Sequence, residues 1–203
     1  MAIPELLYAA DGAPAAQLHA DQHATRRAPT PASGVSRGEI RLSTPVRFEE
    51  LEVIWDAIQA DPLKPLFWSD FSPATLEQWA DLLQDDYVQA CVLHGPDGLM
   101  GLAQVSGRRL TTGRQPLYGE LDIYLLPAYR GQQAALAIRT VTEYLQALGY
   151  QNLLAYIRRD HRQSRRMAAH LGWHRIGLVP WYVPWQGRLH DAMLYSLKPP
   201  QEV

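Results

Sequence analysis

The sequence predicts a mixed α/β domain in which one sheet of about six to seven strands carries helices on both faces. Three observations lead there. Short apolar runs rich in Leu, Ile, Val and Tyr are bounded by Gly, Pro and Asp, as strands are. Between them, apolar residues recur every three to four positions, as on helices with one buried face. The two kinds of segment follow in the order β-α-α-β-β-β-α-β-α-β-β, without an internal repeat.

Residues 1–37 are rich in Ala, Pro, His and Gln and lack a sustained period, which suits an arm or tail better than a core. His19 and His23 have a metal-compatible i, i+4 spacing but no third ligand nearby, so they read as a solvated pair. The domain proper is expected over 38–203, opening with an alternating strand at Gly38–Leu42. Ser43 or Thr44 can cap a helix whose stripe is Phe48, Leu51, Ile54, Trp55 and Ile58, ending near Asp61-Pro62. Ser72-Pro73 opens a second helix carrying Leu76, Trp79, Leu82 and Leu83. Strands at Asp86–Leu93 and Leu99–Ser106 flank a Gly95-Pro96-Asp97-Gly98 turn, and a third lies at 118–126. Pro127 ends that strand, and a helix with Leu136, Val141, Leu145 and Leu148 runs from about Gln133 to a stop at Gly149. A strand at Asn152–Ile157, a helix at Arg162–Leu171 and strands at Trp173–Leu178 and Asp191–Leu197 complete the order, with Pro180–Gly187 as an aromatic loop.

Composition excludes several classes. Of 203 residues, 47% are hydrophobic and 20% charged, which suits a globular protein with an ample core. Net charge is −2, so nothing global points to nucleic acid or membrane as a partner. One cysteine, Cys91, excludes an internal disulfide and fits a reducing compartment; with no basic leader at the N-terminus, the cytoplasm is expected. There is no G-x-S-x-G, no Gly-Lys-Ser phosphate loop and no Cys/His metal spacing.

The strand-turn-helix unit from Tyr118 to Tyr150 is the most informative stretch. A helix N-terminus presents unpaired N–H groups and a positive dipole end, a ready site for phosphate. Leu125-Leu126-Pro127-Ala128-Tyr129-Arg130-Gly131 feeding that helix, with Leu171-Gly172-Trp173 after the next one, resembles the GNAT-type N-acetyltransferase superfamily over about 38–198. The resemblance implies a mostly antiparallel mixed sheet and acetyl-coenzyme A as acyl donor, with no metal. It further implies a pyrophosphate cradle at Arg130, Gly131, Gln132, Gln133, Ala134 and Ala135, with Gln133 where the family's central Gly is expected. Leu125 and Leu126 would offer main-chain groups to the pantetheine arm, beside a bulge at Leu125. His161 and Ser164 fall where family members often hold an Asn and an Ala or Ser, and Ala168 stands where the family has a proton-donating Tyr.

Acyl transfer to an amine needs a base, and Glu120 and Asp122 lie two apart on the central strand, hence on one face, where a structural ion pair is the competing reading. Trp68, Trp181 and Tyr182 are the expected acceptor-site aromatics, though aromatic walls equally suit a homodimer interface. The arginine-rich run from Arg158 to Arg166 fits either a phosphate partner or a solvated helix face. The acceptor class implied is an amine-bearing small molecule, peptide or protein N-terminus. With Ala168 and Gln133 in place, a catalytically weak or inert ligand- or partner-binding protein of the same fold is the competing reading.

Overall fold

Alternating side chains and short turns build the sheet, and the computed structural model describes it over residues 40–62, 73–107, 118–185 and 187–198. The expected arm, with His19 and His23, and the segment holding Phe67, Trp68 and Asp70 lie outside the described residues.

The elements are β1 (Arg41–Ser43), α1 (Phe48–Ala60), α2 (Leu76–Leu82), β2 (Val88–Gly95), β3 (Gly98–Gly107), β4 (Gly119–Leu125), α3 (Gln132–Ala147), β5 (Leu153–Arg158), α4 (Arg162–His170), β6 (His174–Trp185) and β7 (Arg188–Leu197). Their order is the expected one. The sheet runs β1-β2-β3-β4-β5-β7-β6, antiparallel at every pairing except the parallel β4–β5.

Two apolar clusters cover its two faces. Leu51, Ile54 and Ile58 of α1 and Trp79 of α2 pack on Val92, Leu102 and Tyr124. Ala137, Val141 and Leu145 of α3 and Ala168 of α4 pack on Cys91, Ala103, Val105, Leu121 and Leu125. Trp79 also donates its indole N–H to Gln104 Oε1 at 3.1 Å, so the polar atom of this fully buried ring is satisfied.

Several local expectations need correction. Arg47, not Ser43 or Thr44, stands at the N-cap of α1, where Glu50 turns back to its backbone N–H and guanidinium. Thr75 caps α2 by accepting from Gln78 N at 3.2 Å, so that helix starts three residues after Pro73. On α3, Val141 and Leu145 are buried as expected, but the stripe begins at buried Ala137, while Leu136 lies 40% exposed. The expected aromatic loop at 180–187 is largely strand: β6 continues through Pro180 and Pro184 to Trp185. Both prolines are tolerated because β6 is the last strand of the sheet, and its pairing with β7 slips between Val179 and Val183.

Candidate active site

The β4–β5 pairing is the structural origin of the site. It holds only two residue pairs, Gly119↔Leu153 and Glu120↔Leu154, after which the strands diverge. On its other side β4 pairs with β3 without a shift from Gly119 to Leu125. The expected bulge at Leu125 is therefore absent from this ladder, and the fork between β4 and β5 alone opens the sheet.

Main-chain direction follows from the same register. Leu126 N–H bonds Met100 O toward β3, and Gly119 N–H bonds Asn152 O toward β5. Antiparallel pairing alternates these directions, so Ile123 and Leu125 aim their N–H and C=O groups into the gap, where β5 has no ladder partner for them.

A cavity of about 290 Å³ fills the gap. Leu121, Asp122, Ile123, Tyr124 and Leu125 all line it, so both faces of β4 contribute and the cavity passes through the sheet. Its α3/α4 side is walled by Gly131, Ala134, Ile138, His161, Ser164, Met167 and Ala168. On the other side stand Asp61, at the end of α1, and Tyr124, with Tyr156 of β5 also on the wall.

The cradle residues meet at the start of α3. Gly131 is its N-cap with φ +105°, a conformation that favours glycine, and a Cβ there would meet nothing within 4 Å. Glycine is needed at 131 for its backbone angle rather than for space. Gln133, where the family pattern has Gly, is exposed, and Ala135 is half-buried. Leu126 packs between the two apolar clusters.

Arg130 departs from the expectation. Its side chain turns back from the cradle, donates Nε–H to Leu125 O at 3.0 Å and pairs through Nη2 with Asp61 Oδ2. Its guanidinium lies 5.3 Å from the Tyr124 ring centre, and Tyr124 donates its hydroxyl to the same Asp61 oxygen at 3.0 Å. Burial first, then the bond to Asp61, pushes the Tyr124 phenol up to about 12. The sequence reads Asp61 as a helix end and Tyr124 as strand core. One signal was available: a carboxylate at the C-terminal end of a helix opposes the helix dipole and calls for a cation.

The two candidate bases separate. Asp122 lines the cavity opposite Gln104, whereas Glu120 sits at the closed end of the fork opposite Ser106 and is not on the cavity wall. His161, at the N-cap of α4, is half-buried; burial and then the Arg158 guanidinium push its imidazole below the usual range. Arg158 is itself buried and pairs with Asp160.

Of the aromatic candidates among the described residues, neither Trp181 nor Tyr182 lines the cavity directly. Tyr182 stacks on the cavity-lining Tyr156 at 4.3 Å between ring centres. Trp181, at φ +52°, is 74% exposed and donates its backbone N–H to Asp191 Oδ1 at 3.3 Å.

Comparison with known proteins bears on the family and the fold. A family model described as Acetyltransferase (GNAT) domain matches residues 41–174. No curated protein matches the chain. Spermidine N-acetyltransferase from Vibrio cholerae, solved in complex with CoA and spermine, superposes with a TM-score of 0.65 at 14% identity, over 79% of this chain and 95% of that one. Ribosomal-protein-S5-alanine acetyltransferase from Vibrio fischeri gives 0.63 at 15% identity, over 82% and 96%. Mycobacterium smegmatis RimJ, in complex with CoA-disulfide, gives 0.63 at 18% identity, over 80% and 84%. At such identities the likeness concerns the fold, while the matched domain covers well over half of the chain. The chain belongs to the GNAT acetyltransferase family.

Proposed function

We propose that the protein transfers an acetyl group from acetyl-coenzyme A directly to a primary amine on a small molecule, peptide or protein N-terminus. The observation that carries this reading is the forked gap, which joins the N-terminus of α3 on one face of the sheet to Asp122 on the other. The amides following Gly131 suit the pyrophosphate. The main-chain groups of Ile123 and Leu125 suit the pantetheine arm, which would pair along β4 as an added strand. That brings the thioester into the gap, where an amine can approach from the α1 side and Asp122 can take its ammonium proton, directly or through water. The C–N bond forms as the C–S bond breaks. Ala168 supplies no hydroxyl, so the departing thiolate, with an ordinary thiol pKa of ~8.5, takes its proton from solvent. A reducing, cytoplasmic setting, read from the single cysteine, belongs to the same proposal.

Ala168 also favours the competing reading, a protein that binds the coenzyme without efficient transfer. Thermal denaturation with millimolar acetyl-coenzyme A separates the readings from a wrong one, because a ligand held only by the folded state must raise Tm. No shift would remove both. Given a shift, thiol release across a panel of amines distinguishes enzyme from binder. Asp122→Asn should then cut turnover about 100-fold or more while the coenzyme-induced shift stays; an unchanged rate would retire Asp122 as the base.

A further inference from the structure

We infer that Arg130, held by Asp61, is a positioning residue that sets the register of the acyl donor in the gap, rather than a phosphate ligand. The inference rests on the proposed function and concerns the same site. Arg130 immediately precedes the Gly131 cradle, where an arginine would ordinarily be assigned to the pyrophosphate. Instead its Nε occupies Leu125 O at 3.0 Å and its Nη2 is bound to Asp61, whose side chain is only 2% exposed. Both contacts draw the guanidinium to the Leu125 and Asp61 side of the fork. Two consequences follow.

First, of the main-chain groups that β4 turns into the gap, the Leu125 carbonyl is already bonded. An arm laid along β4 is left with the Ile123 groups and the Leu125 N–H, which selects one register and so fixes how far the thioester reaches toward Asp122. Second, the tie spans 69 residues of chain and fastens the end of α1, on one face of the sheet, to the turn before α3, on the other. The wall on the acceptor's side is thereby held to the donor's cradle. The planar fork of arginine is needed, because two nitrogens must reach two acceptors at fixed angles.

The test compares ligands that share the diphosphate but differ in the arm. Wild type, Arg130→Lys and the charge-neutral pair Arg130→Gln/Asp61→Asn are titrated with adenosine diphosphate and with acetyl-coenzyme A, and assayed for thiol release. The expected result is an adenosine diphosphate Kd unchanged within twofold in both variants. The acetyl-coenzyme A Kd should rise about fivefold or more, the worth of one hydrogen bond, and kcat should fall. Lysine should fail to rescue. Equal weakening of both ligands would make Arg130 a phosphate ligand and overturn the inference. So would a lowered Tm with unchanged Kd values and kcat, which would make the tie structural only. Failure of wild type to bind acetyl-coenzyme A would instead refute the functional reading itself.

Discussion

Gly119→Ala tests whether the closed end of the fork is as tightly built as the structure makes it. A Cβ at 119 would lie 2.4 Å from Val105 Cγ2 and 2.7 and 2.9 Å from Tyr150 ring atoms. Ordinary carbon contacts are ~3.5–4.0 Å, so three contacts must each open by roughly an ångström. Val105 is 0% exposed and Tyr150 8%, so neither can swing into solvent. Overpacking of this kind costs about 1–3 kcal/mol, and three simultaneous clashes argue for the upper end. Replacing glycine in a strand returns about 0.5–1 kcal/mol, leaving a net loss of about 2 kcal/mol. For a chain of this size that corresponds to a fall in Tm of about 4–8 °C. Gly177→Ala is the control: a Cβ there meets nothing within 4 Å, and its φ is not in the left-handed region, so it should be neutral or stabilising. The assay is thermal and urea denaturation followed by circular dichroism on all three proteins. Equal melting temperatures for Gly119→Ala and wild type would refute the packing argument, as would a loss at Gly177 as large as that at Gly119.

Two further predictions concern titration. Burial and the Arg158 guanidinium push His161 below its ordinary pKa of 6.5, so the unfolded chain takes up this proton at higher pH than the folded one does. Stability should therefore fall as pH drops below about 6.5, and His161→Gln should flatten that fall; identical urea midpoints for the two proteins from pH 7.5 to 5.5 would contradict it. Burial pushes the Cys91 thiol up to about 12, so a thiol reagent at pH 8 should modify it only at the rate of unfolding. Stoichiometric labelling of the native protein within minutes would show that the site is open.

The order of elements was legible because each has its own period and punctuation. The strand-turn-helix from Gly119 to Ala147 follows from apolar runs, one Pro and one Gly. The site was legible only as far as it is local. Gly131 and Asp122, which both line the cavity, could be named as candidates because a turn and a strand face are written in nearby residues. The Asp61–Tyr124–Arg130 cluster could not, since its members come from a helix end, a strand and a turn up to 69 residues apart. Where a side chain turns back, as Arg130 does, is decided by a partner that its own neighbours do not reveal. The strand through Pro180 and Pro184 was missed for a related reason: prolines argue against a strand unless it lies at an edge, and edge position is a property of the whole sheet.

The two-rung contact between β4 and β5 has a consequence for how such a site can diversify. β1–β4 and β5–β7 are each continuous in sequence and each knitted by its own long ladders. Between them run two rungs, one helical crossing, α3, and an apolar cluster that takes Val105 and Leu121 from one half and Leu153 and Tyr195 from the other. Past those rungs the width of the slot is set by side-chain packing and by the Arg130–Asp61 tie rather than by ladder hydrogen bonds. Substitutions along the open part of the fork, unlike those at Gly119, can change the size and lining of the slot without removing a ladder hydrogen bond.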